Sequence, residues 1–130
     1  MFGDKPMLGQ TKLTIDDKNR IILPKCANSQ SGEELIILNN KEFKVYEIYS
    51  IKRLEEKYKE LDNIILNVKS KKGKKFYKKR LLELKKSVLE NSIVSSDGGI
   101  ELGETFKEYK EVICTGAYDR LIIEPVKIKK

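Results

Sequence analysis

Short apolar runs and polar breaks occur twice along the chain in the same order. First, Leu13-Thr14-Ile15 leads into the polar turn Asp16-Asp17-Lys18-Asn19-Arg20 and then Ile21-Ile22-Leu23-Pro24. Later, Ile93-Val94 leads into Ser95-Ser96-Asp97-Gly98-Gly99 and then Ile100-Glu101-Leu102-Gly103. Each copy continues into an apolar run, Leu35 to Leu38 or Val112 to Cys114, and closes with Phe43 to Tyr46 or Leu121 to Glu124. An offset of about 77 to 79 residues aligns the parts, which marks an internal repeat. Within the first copy, the β-branched and leucine content predicts strands at Thr11–Ile15, Arg20–Leu23, Glu34–Leu38 and Phe43–Tyr46. Pro24 ends the second strand or opens a brief helix over Lys25–Ser29, matched later by Thr105–Lys110. Gly32 and Asn39-Asn40-Lys41 supply the breaks.

Between the copies the period changes from two to between three and four. Ser50 caps a predicted helix with Ile51, Leu54, Tyr58, Leu61 and Ile65 on one stripe. Ser70 to Gly73 reads as a break, and a second helix over about Lys74–Leu89 carries Tyr77, Leu81, Leu84 and Val88 on one face. The chain therefore divides into a first repeat (1–49), a helical insert (50–90) and a second repeat (91–130), all within a single domain of 130 residues. Each repeat is only about 40 residues long, near the lower limit for an independent apolar core, so the two must share a core with each other or with other subunits.

Charge sharpens this division. The net charge of +7 is unevenly placed. Residues 1–50 balance seven basic groups against seven acidic, residues 51–90 carry fourteen against six, and residues 91–130 six against seven. Lys78, Lys79, Lys85 and Lys86 fall largely off the apolar stripe of the second helix, and Val126–Lys130 forms a basic tail. A basic face of this kind attracts polyanions, or simply keeps a helix solvated. With no histidine, Ser-His and Cys-His catalysis are unavailable, and neither a phosphate-cradling glycine loop nor a convincing carboxylate pair is present, so no enzyme is expected. Cys26 and Cys114 lack ligand-like spacing, so neither a metal nor a cofactor is expected, and free thiols fit a reduced cytosolic setting better than a disulfide. No apolar stretch is long enough to span a bilayer, and Met1-Phe2-Gly3-Asp4 does not begin a signal peptide.

The sharpest local signal is the turn Asp16 to Arg20. An aspartate there can fix the loop through backbone or arginine hydrogen bonds, presenting the basic residues on a rigid hairpin. The run Leu13 to Pro24 resembles the signature of the MraZ family, D-x-K-G-R followed by three strand residues and proline. Met1-Phe2, the segment Val45-Tyr46-Glu47-Ile48-Tyr49 leading into a helix, and the duplicated half with a helical insert are also similar to that family. Asn19 stands where the family has glycine and, like it, tolerates a left-handed turn. In the second copy, Ser95 and Gly99 occupy the family's aspartate and arginine positions.

The resemblance implies an α+β, mainly β fold. Two tandem swapped-hairpin units of the AbrB type would form a pseudo-dimeric β-barrel with an α-helical insert. It implies a homo-oligomeric ring, located in the cytoplasm with the nucleoid, that binds repeated promoter boxes on double-stranded DNA and represses a cell-division and cell-wall gene cluster. The implied DNA-binding residues are Asp16, which holds the loop, with Lys18, Arg20 and Lys25. Lys78 and Lys79 are candidate phosphate contacts, and the second repeat is expected to be mainly structural. The alternative is an AbrB-like protein-interaction module such as an antitoxin-type partner.

Overall fold

The computed structural model describes residues 1–127. It is α+β and mostly strand: β1 (Gln10–Thr14), β2 (Arg20–Ile22), β3 (Glu34–Asn40), β4 (Val45–Ser50), β5 (Val88–Ile93), β6 (Gly99–Glu101), β7 (Glu111–Gly116) and β8 (Leu121–Pro125). Two helices, α1 (Ile51–Asn67) and α2 (Lys71–Lys86), separate the halves, and 3-10 turns at Lys25–Ala27 and Glu104–Phe106 follow β2 and β6.

The repeats are built through one another. Six strands form an open sheet in the order β1-β7-β8-β4-β3-β5, and β2 pairs with β6 as a separate ribbon. The first strand of each repeat thus pairs with the third strand of the other: Leu13 opposes Val112, and Leu35 opposes Ser92. The symmetric pairs lie at the centre, Ile21 opposite Ile100 in the ribbon and Glu47 opposite Ile122 between β4 and β8. Because β1 and β5 are not paired with each other, hydrogen bonding does not close the six-stranded sheet into a barrel.

The sheet has two apolar faces. Leu35 and Ile37 point into the main core with Ile21, Ile100, Leu121 and Ile123, so the β2–β6 ribbon covers that face. Successive side chains of a strand point to opposite faces, and Ile36 and Leu38 accordingly pack on the other side with Tyr49 of β4 and with Leu54, Tyr58 and Leu84 of the helical hairpin. The α1 stripe is held down further by an ionic network. Arg53 donates to Asp119 at 2.8 Å and to Glu60 at 2.9 Å, and Arg120 donates to Asp119 at 3.0 Å. The buried Glu47 is ion-paired with Arg120 and accepts from Asn40 at 2.9 Å and Tyr49 at 3.2 Å.

Several boundaries differ from the sequence reading. The second helix starts at Lys71, where the Ser70 hydroxyl accepts from the N–H of Gly73, so Gly73 lies in the first turn rather than in a break. It ends at Ser87, whose hydroxyl donates to Leu84 O. Val88 and Leu89 are then drawn into β5 by pairing with β3, Val88 opposite Leu38, although their spacing continues the helical stripe. Phe43 lies in the β3–β4 turn and is 69% exposed, with β4 starting only at Val45. The basic tail at Val126–Lys130 is described only as far as Lys127, and its last three residues lie outside the described residues.

The alternation in β2 gives a direct test of register. Ile21 is 1% exposed and Ile22 is 47% exposed. Ile21→Ala is expected to lower the unfolding free energy by about 2–5 kcal/mol, whereas Ile22→Ala should change it by only about 0.5 kcal/mol. Urea denaturation of both variants checks this, and equal losses would contradict the register.

Candidate nucleic-acid interface

The two polar turns lie side by side because β2 and β6 pair. Their backbones are equivalent. The N–H of Asp16 donates to Arg20 O at 2.9 Å, and the N–H of Ser95 donates to Gly99 O at 2.9 Å. Asn19 N–H reaches Asp16 O at 3.0 Å, and Gly98 N–H reaches Ser95 O at 2.9 Å. Both turns need a left-handed residue, supplied by Asn19 at φ 61° and Gly98 at φ 83°. Each of these residues also ties the turn to the opposite repeat, since Asn19 O accepts from Leu102 N–H and Gly98 O from Leu23 N–H, both at 3.0 Å. The Asn19 amide adds a bond to Gly103 O at 2.6 Å.

The side chains break this symmetry. Asp16 Oδ1 accepts from the N–H groups of Lys18 and Arg20, both at 2.9 Å, as the sequence predicts for a loop-fixing aspartate. Desolvation acts to raise the Asp16 pKa, but these two backbone donors and the Arg20 charge outweigh it, and its pKa is lowered. Arg20 does not extend outward as expected. Its Nε donates to Asp16 Oδ2 at 3.3 Å, and its two terminal nitrogens grip Asp97 at 2.8 and 3.3 Å. A further bond runs to Ser95 Oγ at 3.0 Å. Its side chain keeps only 22% exposure.

Room for the guanidinium comes from Gly99, the residue standing at the position of Arg20 in the second turn. A Cβ at Gly99 would lie 2.8 Å from an Arg20 terminal nitrogen and 3.0 Å from Asp97 Oδ1. One arginine therefore serves both turns. The Arg20 guanidinium, the Ser95 hydroxyl (2.7 Å) and the Gly99 N–H (2.9 Å) together hold the Asp97 carboxyl well below the usual carboxylate range.

The structure brings Asp16, Lys18 and Arg20 together in one turn, with Lys18 exposed and unrestrained by an ion pair among the described residues. Lys25 is exposed at the start of the 3-10 turn that follows β2, and its neighbours Pro24 and Cys26 line a cavity with Leu8 to Thr11 beside the start of β1, whereas the Asp16 turn follows the end of that strand. Lys78 and Lys79 are exposed on α2, across the sheet from the turns. Sequence reasoning did not find Ser95, Asp97 and Gly99 as partners of Arg20. The available signal was the acid and the two glycines placed in register with the first turn. The turn pair holds Asp16, Asp17 and Asp97 against Lys18 and Arg20, so its own charge is slightly negative. Cys26 and Cys114, distant in sequence, line one small cavity of about 180 Å³ as free thiols, and burial pushes the Cys114 thiol up to about 12.

The clasp has a pH signature with a definite sign. A carboxyl whose folded pKa is depressed stabilises the fold above its unfolded pKa, near 3.9, and loses that contribution as pH falls through the folded value. Wild type should therefore melt above Asp97→Asn by a constant margin between pH 5 and 7, and the margin should shrink as the pH drops below about 4. Thermal unfolding of both proteins by circular dichroism measures this, and a margin that persists unchanged at pH 2.5 would rule the ion pair out as its source.

Neither a protein-family model nor a curated protein matches this chain, so the functional reading rests on the geometry of the turn pair and on the resemblance of its motif.

Proposed function

We propose that the protein is a sequence-dependent DNA-binding regulator whose paired turns read double-stranded DNA. One observation carries this reading: exchanged strands hold two equivalent, rigid turns side by side on a two-stranded ribbon. A β-ribbon of this size fits the major groove, and a turn fixed by an aspartate enters it without first being ordered. In this reading the molecule is a diverged MraZ-like member of the AbrB type, its two units forming a barrel-like pseudo-dimer.

Lys18 and Lys25, which make no ion pair among the described residues, are the cations for phosphate oxygens. Arg20 has two roles. In the unbound protein it fastens the turns, and on a base edge its planar fork replaces the Asp97 carboxylate with guanine acceptors. Since the turn pair carries no excess positive charge, one subunit binds weakly. Useful affinity then requires a homo-oligomer, a ring in the family's manner, that engages several repeated promoter boxes together. Such a repressor would work in the cytoplasm at the nucleoid, on a cell-division and cell-wall gene cluster.

The slight negative charge of the turns and the internal pairing of Arg20 favour a second reading, a protein-interaction module of the antitoxin type. A stoichiometric partner co-purified from the native host is the outcome that would support it.

The DNA reading is tested by enriching bound duplexes from a random pool and titrating the winner. Arg20→Ala should bind that duplex about tenfold to a hundredfold more weakly, the value of one bidentate base contact. Asp97→Ala, which frees the guanidinium and removes an anion, should bind more tightly than wild type. If no sequence is enriched, or if Arg20→Ala binds like wild type, the assignment fails.

A further inference from the structure

The charge that the turns lack is concentrated on α2. Its 16 residues carry nine basic side chains against Glu83 alone. The helix rests on the sheet through Leu84, with Tyr77 and Leu81 half-buried on the same side. Lys71, Lys75, Lys79, Leu82 and Lys86 follow one another at intervals of three or four on the opposite side, and all five are exposed. They form a basic stripe about 22 Å long, interrupted only by Leu82.

The position of this stripe matters as much as its sign. The ribbon that holds the turns covers one face of the sheet through Ile21 and Ile100, and the helical hairpin covers the other through Leu54 and Leu84. A straight duplex docked at the turns therefore cannot also lie along the outer face of α2 of the same subunit. We infer that the outer face of α2 is a second, sequence-independent surface for the phosphate backbone of duplex DNA. A molecule holding one duplex at its turns presents this surface to another duplex and links the two. The linking step rests on the proposed reading of the turns; the α2 surface itself does not.

Charge selects the occupant. Duplex DNA presents a phosphate about every 1.7 Å along its axis, so a line of lysines meets a charge at every step and releases counterions. A second copy of α2 would bring like charge against like charge. An anionic lipid surface would need several apolar side chains among the lysines, and the stripe offers Leu82 alone. Phe76, on the flank, is packed edge-on against Tyr77 at 5.1 Å, with Arg80 over its ring at 5.7 Å.

The test combines Lys71→Gln, Lys75→Gln, Lys79→Gln and Lys86→Gln in the full chain, with circular dichroism to confirm the fold. Binding to a duplex of arbitrary sequence is measured against salt concentration. Capture of a fluorescent duplex by a second, bead-bound duplex is measured alongside. The variant should lose the capture and flatten the logarithmic salt slope by about 3 to 4, one counterion for nearly every lysine removed. If instead it binds and captures like wild type, the inference is overturned. It is overturned equally if wild type binds phosphatidylserine vesicles and releases DNA to them. Lys18→Ala combined with Lys25→Ala separates the two sites. Should that double variant bind every duplex like wild type while the α2 variant binds none, the α2 surface stands and the reading of the turns is removed.

Discussion

Everything in this molecule depends on the exchange of first strands between the two repeats. Each repeat is too short to bury a core alone, and neither has a strand of its own with which to flank its central hairpin. Strand β1 completes the edge beside β7, and β5 completes the edge beside β3. The exchange forces the chain to cross between halves directly after each first strand, at the polar turns. The turns consequently meet on the approximate two-fold axis, next to Ile21 and Ile100, and each accepts a backbone hydrogen bond from the other repeat. The candidate interface is thus a product of the fold's one non-local requirement rather than an addition to its surface.

On such an axis a symmetric sequence would bring two arginines into one small space. Replacing one of them by Gly99 removes that conflict and leaves a pocket that the remaining guanidinium fills, between Asp16 and Asp97. The partners are partly solvent-exposed, 38% for Asp16 and 48% for Asp97, so the ion pairs add only the small, pH-dependent margin in melting to global stability. Their contribution is geometric. Two charge-assisted contacts across the axis fix the relative position of two short turns that would otherwise move independently. The two turns together make one composite cluster, in which the second supplies the Ser95 and Asp97 that hold Arg20.

What the sequence made legible follows from the range of the forces involved. The Asp16 turn, the αL position of Asn19 and the Ser50 cap are each settled within four residues, and local chemistry was enough to place them. The Arg20–Asp97 contact spans 77 residues and exists only because the strands exchange, so no local pattern encodes it. Val88 shows the same limit from the other side. Its spacing continues the α2 stripe, and only pairing with Leu38 makes it strand. Glu47 is a buried acid whose partner Arg120 comes from the other repeat, again beyond the reach of any local pattern. The open sheet is likewise a consequence of edge pairing, which strand composition does not specify.

The separation of charge from shape explains why neither face is a complete site. The turns offer a rigid, well-defined contour with almost no electrostatic pull, whereas α2 offers strong attraction on a regular helix with no distinctive contour. Between them lie the sheet and two apolar layers, and these transmit no charge of their own. Attraction from the insert raises the concentration of a polyanion chiefly near α2 itself, since surface fields act over about a Debye length, roughly 8 Å in physiological salt, before screening. It acts on every sequence alike and so cannot tilt the choice of sequence at the turns, which lie on the other side of the sheet. In the proposed reading, selectivity comes from contacts at the turns, and salt-sensitive affinity from the helix. A change at one should leave the other's behaviour intact.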